Sequence, residues 1–411
     1  MIKECRGSMS EFKTLSLLES IIDRVSRKGY QQLTPIQKKC IPPLINGNDL
    51  LGIAQTGTGK TAAFSLPIIN NFGRNKVDIN AKSTRSLILT PTRELASQIM
   101  QNIDDYSDGL GLKTKVVYGG VGRQNQVDSI ALGLDILVAT PGRLLDLIET
   151  GDVNFKALEV FVLDEADTML DMGFFKDVQS IISKLPKSRQ TLLFSATMPT
   201  EIEVLAEAIL TNPTKIQIIA ETVTIDLVNQ SVYHLEKSNK VPLLFNILNT
   251  PDYDKVLIFC KTKYGADIIV KALEKASITA ASLHSGKTQA VREEALQNFK
   301  DSNVRVLVAT DVAARGIDVN NITLIINYNL PEDPRNYIHR IGRTARAGKS
   351  GMAVSFVVEN DIRQLNNIED SIGQIIPVVT EQPFHKEFSK VPKQVKKKVK
   401  KPNRKSTRVK K

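Results

Sequence analysis

The apolar positions of this chain fall into short unbroken runs, separated by longer stretches in which apolar and polar residues mix at helical spacing. The runs include "SLIL" (86–89), "DILVA" (135–139), "VFVL" (160–163), "TLLFS" (191–195), "VLIF" (256–259), "VLVA" (306–309), "LIIN" (324–327) and "MAVSFVV" (352–358). They are rich in β-branched residues and leave no regular place for a solvent-facing side chain. Both faces of such strands must be covered, which predicts parallel sheets with helices packed on either side. Polar groups follow the strands directly, as in "TPTREL", "TPGR", "DEAD" and "SAT". That is the C-terminal edge of an open sheet, where ligands bind.

The pattern occurs twice. "ILVATPGR" (136–143) and "VLVATDVAARG" (306–316) share a strand and the turn after it, which indicates two similar lobes. Between them, "NPTK" and the residues up to Asp226 read as a hinge. The expected division is a first lobe over 10–218, a linker over 219–229, a second lobe over 230–376 and a tail over 377–411. A length of 411 residues accommodates two or three domains.

Charge changes the picture only at one end. Thirteen of the 55 basic residues and one of the 44 acidic ones lie between Lys386 and Lys411, a net of +12 there, which leaves residues 1–385 at −1. The tail "KQVKKKVKKPNRKSTRVKK" has no aromatics and no apolar face, so it is expected to be disordered. A dense cationic segment gains affinity for phosphates by releasing their counterions, so the tail reads as a polyanion-binding arm rather than a solubilising end. No amphipathic helix or lipidation signal directs it to a membrane.

Other classes are disfavoured by what the chain lacks. No apolar run approaches the ~18 residues of a membrane span, and "MIKECRGSMSEF" has no apolar core like that of a secretory signal. A cytoplasmic protein without membrane contact is expected, starting at Met1 or at Met9. Cys5, Cys40 and Cys260 and the four histidines are scattered, which supports neither a disulfide framework nor a zinc site.

The first chemical motif is "AQTGTGKT", Ala54 to Thr61, placed after "DLLGI" and before the helix-like "AAFSLPII". This is the context of a phosphate-binding loop. Residues Ala54, Gln55, Thr56, Gly57, Thr58 and Gly59 form the loop, with the glycines letting backbone N–H groups face a polyphosphate. Lys60 reaches the β and γ groups, and Thr61 offers a hydroxyl to Mg²⁺. The second motif is "VFVLDEAD", in which a core strand runs into Asp164, Glu165 and Asp167. Burying unpaired carboxylates is costly. A Mg²⁺ held through water by Asp164 accounts for one, and orientation or deprotonation of an attacking water by Glu165 accounts for the next. Asp167 is expected to bond other site residues.

At "DEAD" the chain resembles the DEAD-box ATP-dependent RNA helicases, with an overall spacing similar to the compact bacterial RhlE-type group; the resemblance runs from Phe12 to about Pro377. It implies an α/β fold of two tandem RecA-like domains, each a parallel sheet flanked by helices, followed by the disordered basic tail. "GYQQLTPIQ" resembles the adenine-recognition segment of the family, with Leu33 where proline is usual. It implies that Gln37 reads the adenine edge with Thr34 nearby, and that Phe12 stacks on the base. An amide offers both the donor and the acceptor that adenine demands.

"SAT" resembles the motif that couples nucleotide state to lobe closure, through Ser195 and Thr197 together with Asp167. "HRIGRTARAG" resembles the segment that carries arginine fingers: Arg343 and Arg346, three apart, are expected on one face of a helical turn, with His339 and Arg340 in coupling. Asp318 would approach the ribose. RNA contacts are implied for Arg93, Gly119, Gly120, Thr140, Gly142 and Arg143 in the first lobe and for Thr262 and Thr310 in the second. Such glycines, hydroxyls and guanidiniums bond phosphate and ribose and carry no base code. In "HSGKTQAVREEALQNF", Gln289 and Arg292 match in place, whereas the order of small residues at Ser285 is altered and implies no role. With 5% aromatics and no tryptophan, base-stacking platforms are not expected.

The reading that results is an RNA-stimulated ATPase, with ATP and Mg²⁺, that separates short RNA duplexes locally when the lobes close, expected to be a monomer. The alternative is a nucleotide-dependent RNA clamp or annealing chaperone with little need for hydrolysis. A third reading, DNA unwinding, is disfavoured by the resemblance. Lys60, Glu165, Arg343 and Arg346 all present in one chain favour the enzyme.

Overall fold

The computed structural model describes residues 11–388 apart from 56, 219–227, 251–252, 315–318, 320–321 and 345–350. Two parallel sheets account for the strands. The first contains β1 (Leu50–Ile53), β2 (Thr84–Leu89), β3 (Thr114–Val117), β4 (Leu134–Ala139), β5 (Val160–Leu163), β6 (Gln190–Ser195) and β7 (Thr214–Gln217), in the order β3-β4-β2-β5-β6-β1-β7. The second contains β8 (Val228–His234), β9 (Val256–Phe259), β10 (Ala280–Leu283), β11 (Val306–Ala309), β12 (Leu324–Asn327) and β13 (Gly351–Val357), in the order β10-β11-β9-β12-β13-β8. Each sheet has an apolar core on both faces, as the unbroken runs require.

The repeated motif has a structural counterpart. β4 and β11, which carry "ILVAT" and "VLVAT", each lie one strand in from the corresponding edge of their sheet. Two expected boundaries move. β8 begins at Val228, inside the expected linker. The packed chain runs to Phe388, so the expected start of the tail at 377 is too early. Residues 377–388 strap the outer edge of β8: Val232 N–H donates to Pro377 O (2.9 Å), and Val379 N–H donates to Val232 O (2.8 Å). Lys386 N–H donates to His234 O at 3.1 Å, while Phe384 and Phe388 pack on the two cores of the lobe. An uncovered edge strand offers unpaired backbone groups, and this strap satisfies them. Of the cationic stretch that composition identifies, Lys386 lies in this strap and the residues from 389 on lie outside the described residues, as does most of the expected linker. Among the described residues no helix is long and apolar enough to cross a membrane.

Candidate nucleotide site and the cleft between the lobes

Strand order positions the first site. β6 lies between β1 and β5, so the loop after β6 separates the phosphate loop after β1 from the acids after β5. Ser195, last residue of β6, joins the two. Its carbonyl accepts from Ala54 N–H (3.0 Å), and its Oγ accepts from Asp167 N–H (3.3 Å). Asp167 in turn accepts from Thr197 N–H (2.8 Å) and Thr197 Oγ1 (2.9 Å) with one carboxylate oxygen. The expected coupling trio is therefore one hydrogen-bonded unit.

Around the loop, Lys60 is buried and its Nζ donates to Ala54 O at 2.9 Å. Thr58 Oγ1 donates to Gln55 O at 2.8 Å. Gly59 has a φ of +95°, and a Cβ there would lie 2.6 Å from Gln37 Nε2 and 3.0 Å from Thr34 Oγ1. Only glycine combines that backbone with that approach. Gln37 Nε2 donates to Gly59 O (3.2 Å) while its Oε1 accepts from Thr34 N–H (3.0 Å), so this amide braces the loop as well as facing the site. Thr34 Oγ1 is buried without a hydrogen-bond partner. The departure at Leu33 has a physical reason: its N–H donates to Glu11 Oε2 at 2.9 Å, a bond proline could not make. Thr56 lies outside the described residues.

Asp164 and Glu165 are both buried. Burial pushes the Asp164 carboxyl up, to about 7, against the pull of the Lys60 ammonium. Glu165 N–H donates to Asp164 Oδ1 at 3.0 Å, and Glu165 itself is left-handed, with φ 52° and ψ 52°. For a residue with a Cβ that conformation carries strain of order ~1–3 kcal/mol, and it fixes the carboxylate at the cusp between β5 and the helix Ala166–Asp171.

Two expectations are corrected here. Phe12 has 0% exposure and belongs to the first lobe's core, so its ring presents no open face for stacking; the short 3-10 turn Glu11–Thr14 turns it inward. The helix expected to carry both fingers is Pro334–Ile341 and closes at Gly342, which leaves Arg343 in the turn beyond it, buried. Arg346 and Asp318 lie outside the described residues.

Arg340 is deeply buried within the second lobe. Its Nε and Nη2 donate to Asp311 at 2.6 and 2.7 Å, and its Nη1 donates to Asn327 Oδ1 (2.9 Å) and Asn329 O (2.7 Å). It braces the segment after Thr310 against β12. His339, beside it, is half-buried.

The two lobes meet. Arg292 Nη2 lies 2.7 Å from Glu94 Oε1, with side chains only 8% and 2% exposed. Burial pushes the Arg292 guanidinium down from its ordinary value against the pull of Glu94. Tyr118 Oη donates to Glu293 at 3.3 Å, and Arg335 lies 3.4 Å from Asp171. Beside the first of these contacts is a cavity of about 340 Å³. Arg93, Gly119, Thr140, Gly142 and Arg143 line it from the first lobe, and Ser285, Arg292 and Val312 from the second. Gly120 does not line the cavity but packs on Arg93, since a Cβ there would lie 2.0 Å from the Arg93 guanidinium. Thr262 and Thr310 stand at the ends of β9 and β11 without lining the cavity. Sequence reasoning missed Glu94, the partner of Arg292, and assigned no role to Ser285, which lines the cavity. No signal along the chain links positions 94 and 292.

The chain matches two family models, "DEAD/DEAH box helicase" over residues 34–205 and "Helicase conserved C-terminal domain" over 239–348. It is 41% identical over 359 residues to ATP-dependent RNA helicase CshA of Limosilactobacillus reuteri, covering 87% of this chain and 71% of that one. It is 44% identical over 371 residues to ATP-dependent RNA helicase DeaD of Buchnera aphidicola subsp. Schizaphis graminum, covering 90% and 61%. Among solved structures, S. cerevisiae Dbp5 bound to RNA and ADP BeF3 matches with a TM-score of 0.79 at 28% identity, over 90% of this chain and 95% of that one.

Proposed function

The chain belongs to the DEAD/DEAH box helicase family and is an ATP-dependent RNA helicase, and from that premise we propose how its residues divide the work. Lys60 and the loop's backbone N–H groups bind the ATP phosphates, with Gln37 and Thr34 setting the loop's position. Glu165 orients and deprotonates the attacking water. Asp167, Ser195 and Thr197 carry the state of that centre to the lobe surface. Arg343, with Arg346, brings positive charge from the second lobe to the transferring phosphoryl when the lobes are together.

The RNA backbone occupies the cavity lined by Arg93, Gly119, Thr140, Gly142 and Arg143, with Gly120 packed on Arg93 and Thr262 and Thr310 continuing the track on the second lobe. Because ATP and RNA each favour closed lobes, each tightens the other's binding by the same factor. Closure grips one strand and separates a few pairs locally, and hydrolysis reopens the cleft. The similarity of the whole two-lobed chain to Dbp5 with RNA bound supports this arrangement.

The observation that carries the reading is Ser195, bonded to the phosphate loop on one side and to Asp167 on the other. A clamp with little need for hydrolysis has no use for a linkage between the phosphate loop and the buried Asp167, two residues from the strained Glu165. Turnover of ATP with and without RNA, in the wild type and in Glu165→Gln, tests it. The variant is expected to lose about 10²–10⁴ in RNA-stimulated rate while keeping ATP and RNA binding. Equal rates in both proteins would overturn the enzymatic assignment.

Magnesium is proposed at Thr61 and, through water, Asp164. The fit rests on the buried Asp164 carboxyl, since a divalent cation nearby favours the ionised form that burial opposes. Among the described residues no three His, Cys, Asp or Glu side chains gather to hold a metal, which suits an ion carried largely by phosphate oxygens and water. Bound there, the ion would neutralise phosphate charge during transfer. A cytoplasmic, monomeric enzyme is proposed, with a basic tail that adds RNA affinity by holding the enzyme near structured RNA. Placement in the compact RhlE-type group rests on motif spacing alone.

A further inference from the structure

One aromatic side chain stands apart from the rest. Tyr264, in the first turn of the helix Lys263–Lys275, is 71% exposed, and Ile268 one turn on is 63% exposed. A solvent-facing helix surface is normally polar at i and i+4. Thr262 caps the same helix, its Oγ1 accepting from Gly265 N–H at 3.0 Å, so the ring lies at the strand-end edge of the second sheet. Lys263 Nζ sits 5.2 Å from the centroid of the Tyr264 ring. The stem of Lys263 runs along the next loop: a Cβ on Gly286 would lie 3.3 Å from Lys263 Cδ. Ser285, adjacent in that loop, lines the cavity between the lobes. A continuous path therefore leads from the cavity through Ser285, Gly286 and Lys263 to the Tyr264 ring.

The chemistry of that path selects its occupant. An ammonium group over an exposed aromatic ring matches a polymer that alternates phosphate and π-face. We propose that Tyr264 is a stacking platform for an unpaired base of the RNA strand leaving the cavity, with Lys263 on the adjoining phosphate. This rests on the reading that the cavity holds the RNA backbone. It also revises the expectation, drawn from low aromatic content, that no stacking platform is present.

The test uses the full chain with a non-hydrolysable ATP analogue and a single-stranded oligoribonucleotide, titrated over a range of salt. Tyr264→Ala should weaken binding about tenfold and leave the log–log salt slope unchanged, because stacking releases no counterions, while Tyr264→Phe should bind like the wild type. Lys263→Ala should make the slope shallower by about 0.7. An oligoribonucleotide with abasic positions at its ends should bind the wild type and Tyr264→Ala equally. Wild-type affinity in Tyr264→Ala, or a changed slope in that variant, overturns the proposal. Arg143→Ala separates the two failures: if it weakens binding while Tyr264→Ala does not, the platform alone is wrong, and if neither has an effect the cavity reading falls as well.

Discussion

The ion pair between Arg292 and Glu94 ties two lobes whose partners lie 198 positions apart, at 2.7 Å and almost without solvent. Replacing Arg292 by alanine would leave the Glu94 carboxylate to be buried alone whenever the lobes close. Breaking a buried pair in this way costs about 3–5 kcal/mol. The lower end applies here, because the two groups meet without hydrogen-bond alignment and Arg292 Nε and Gln289 Oε1 have no hydrogen-bond partner. With the lobes apart, Glu94 regains water, so the penalty falls on closure and not on the folding of either lobe. About 3 kcal/mol corresponds to a loss of roughly 100-fold in the coupling between ATP and RNA. RNA affinity measured with and without a non-hydrolysable ATP analogue reads that coupling directly. Arg292→Ala should retain RNA binding in the absence of nucleotide and lose most of the enhancement. The double variant Glu94→Ala with Arg292→Ala, which buries no lone charge, should recover to within about tenfold of the wild type. Wild-type coupling in the single variant, or a double variant as poor as the sum of the two, would refute the argument; the second result would mean that Arg292 acts on RNA directly.

Three further outcomes are expected. Gly59→Ala forces a positive φ on a residue with a Cβ and drives that atom into Gln37, so the KM for ATP should rise at least tenfold; an unchanged KM would disprove the bracing role of Gln37. His234 packs against His385 at 6.4 Å and Phe388 at 5.0 Å, beside the Lys386–Glu236 pair. Burial, then His385, pushes the His234 imidazole below its ordinary 6.5. The unfolded chain therefore binds the proton more readily, so the strap's stability is present above pH 6.5 and lost as pH falls through the depressed value. Protease cleavage within 377–388 should quicken between about pH 7.5 and about pH 5.5, and His234→Asn should flatten that dependence. Deleting 389–411, which spares the strap, should weaken RNA binding and flatten its salt slope by about 0.7 for each phosphate that the tail engages; an unchanged slope would exclude the tail from binding.

The sequence by itself determined the interior strands and the phosphate chemistry. β1, β2, β4, β5, β6, β9, β11, β12 and β13 are buried on both faces, and such strands must be written as unbroken apolar runs. The four strands without such a run are β3, β7, β8 and β10, and they are the four edges of the two sheets. Half-exposed strands like "TKIQ" and "VNQSVYH" carry polar residues that mask their period. The phosphate loop and the acids were legible because each motif is local, with a few adjacent residues imposing one backbone shape on one chemical group. What only the tertiary structure decided is long-range. The order of strands put Ser195 between Ala54 and Asp167, and the meeting of the lobes brought Arg292 to Glu94. The inward turn of Phe12 and the placement of Arg343 beyond the end of its helix were set by packing and by the cap at Gly342. Distances between residues far apart in the chain depend on how whole layers stack, and no local spacing encodes that.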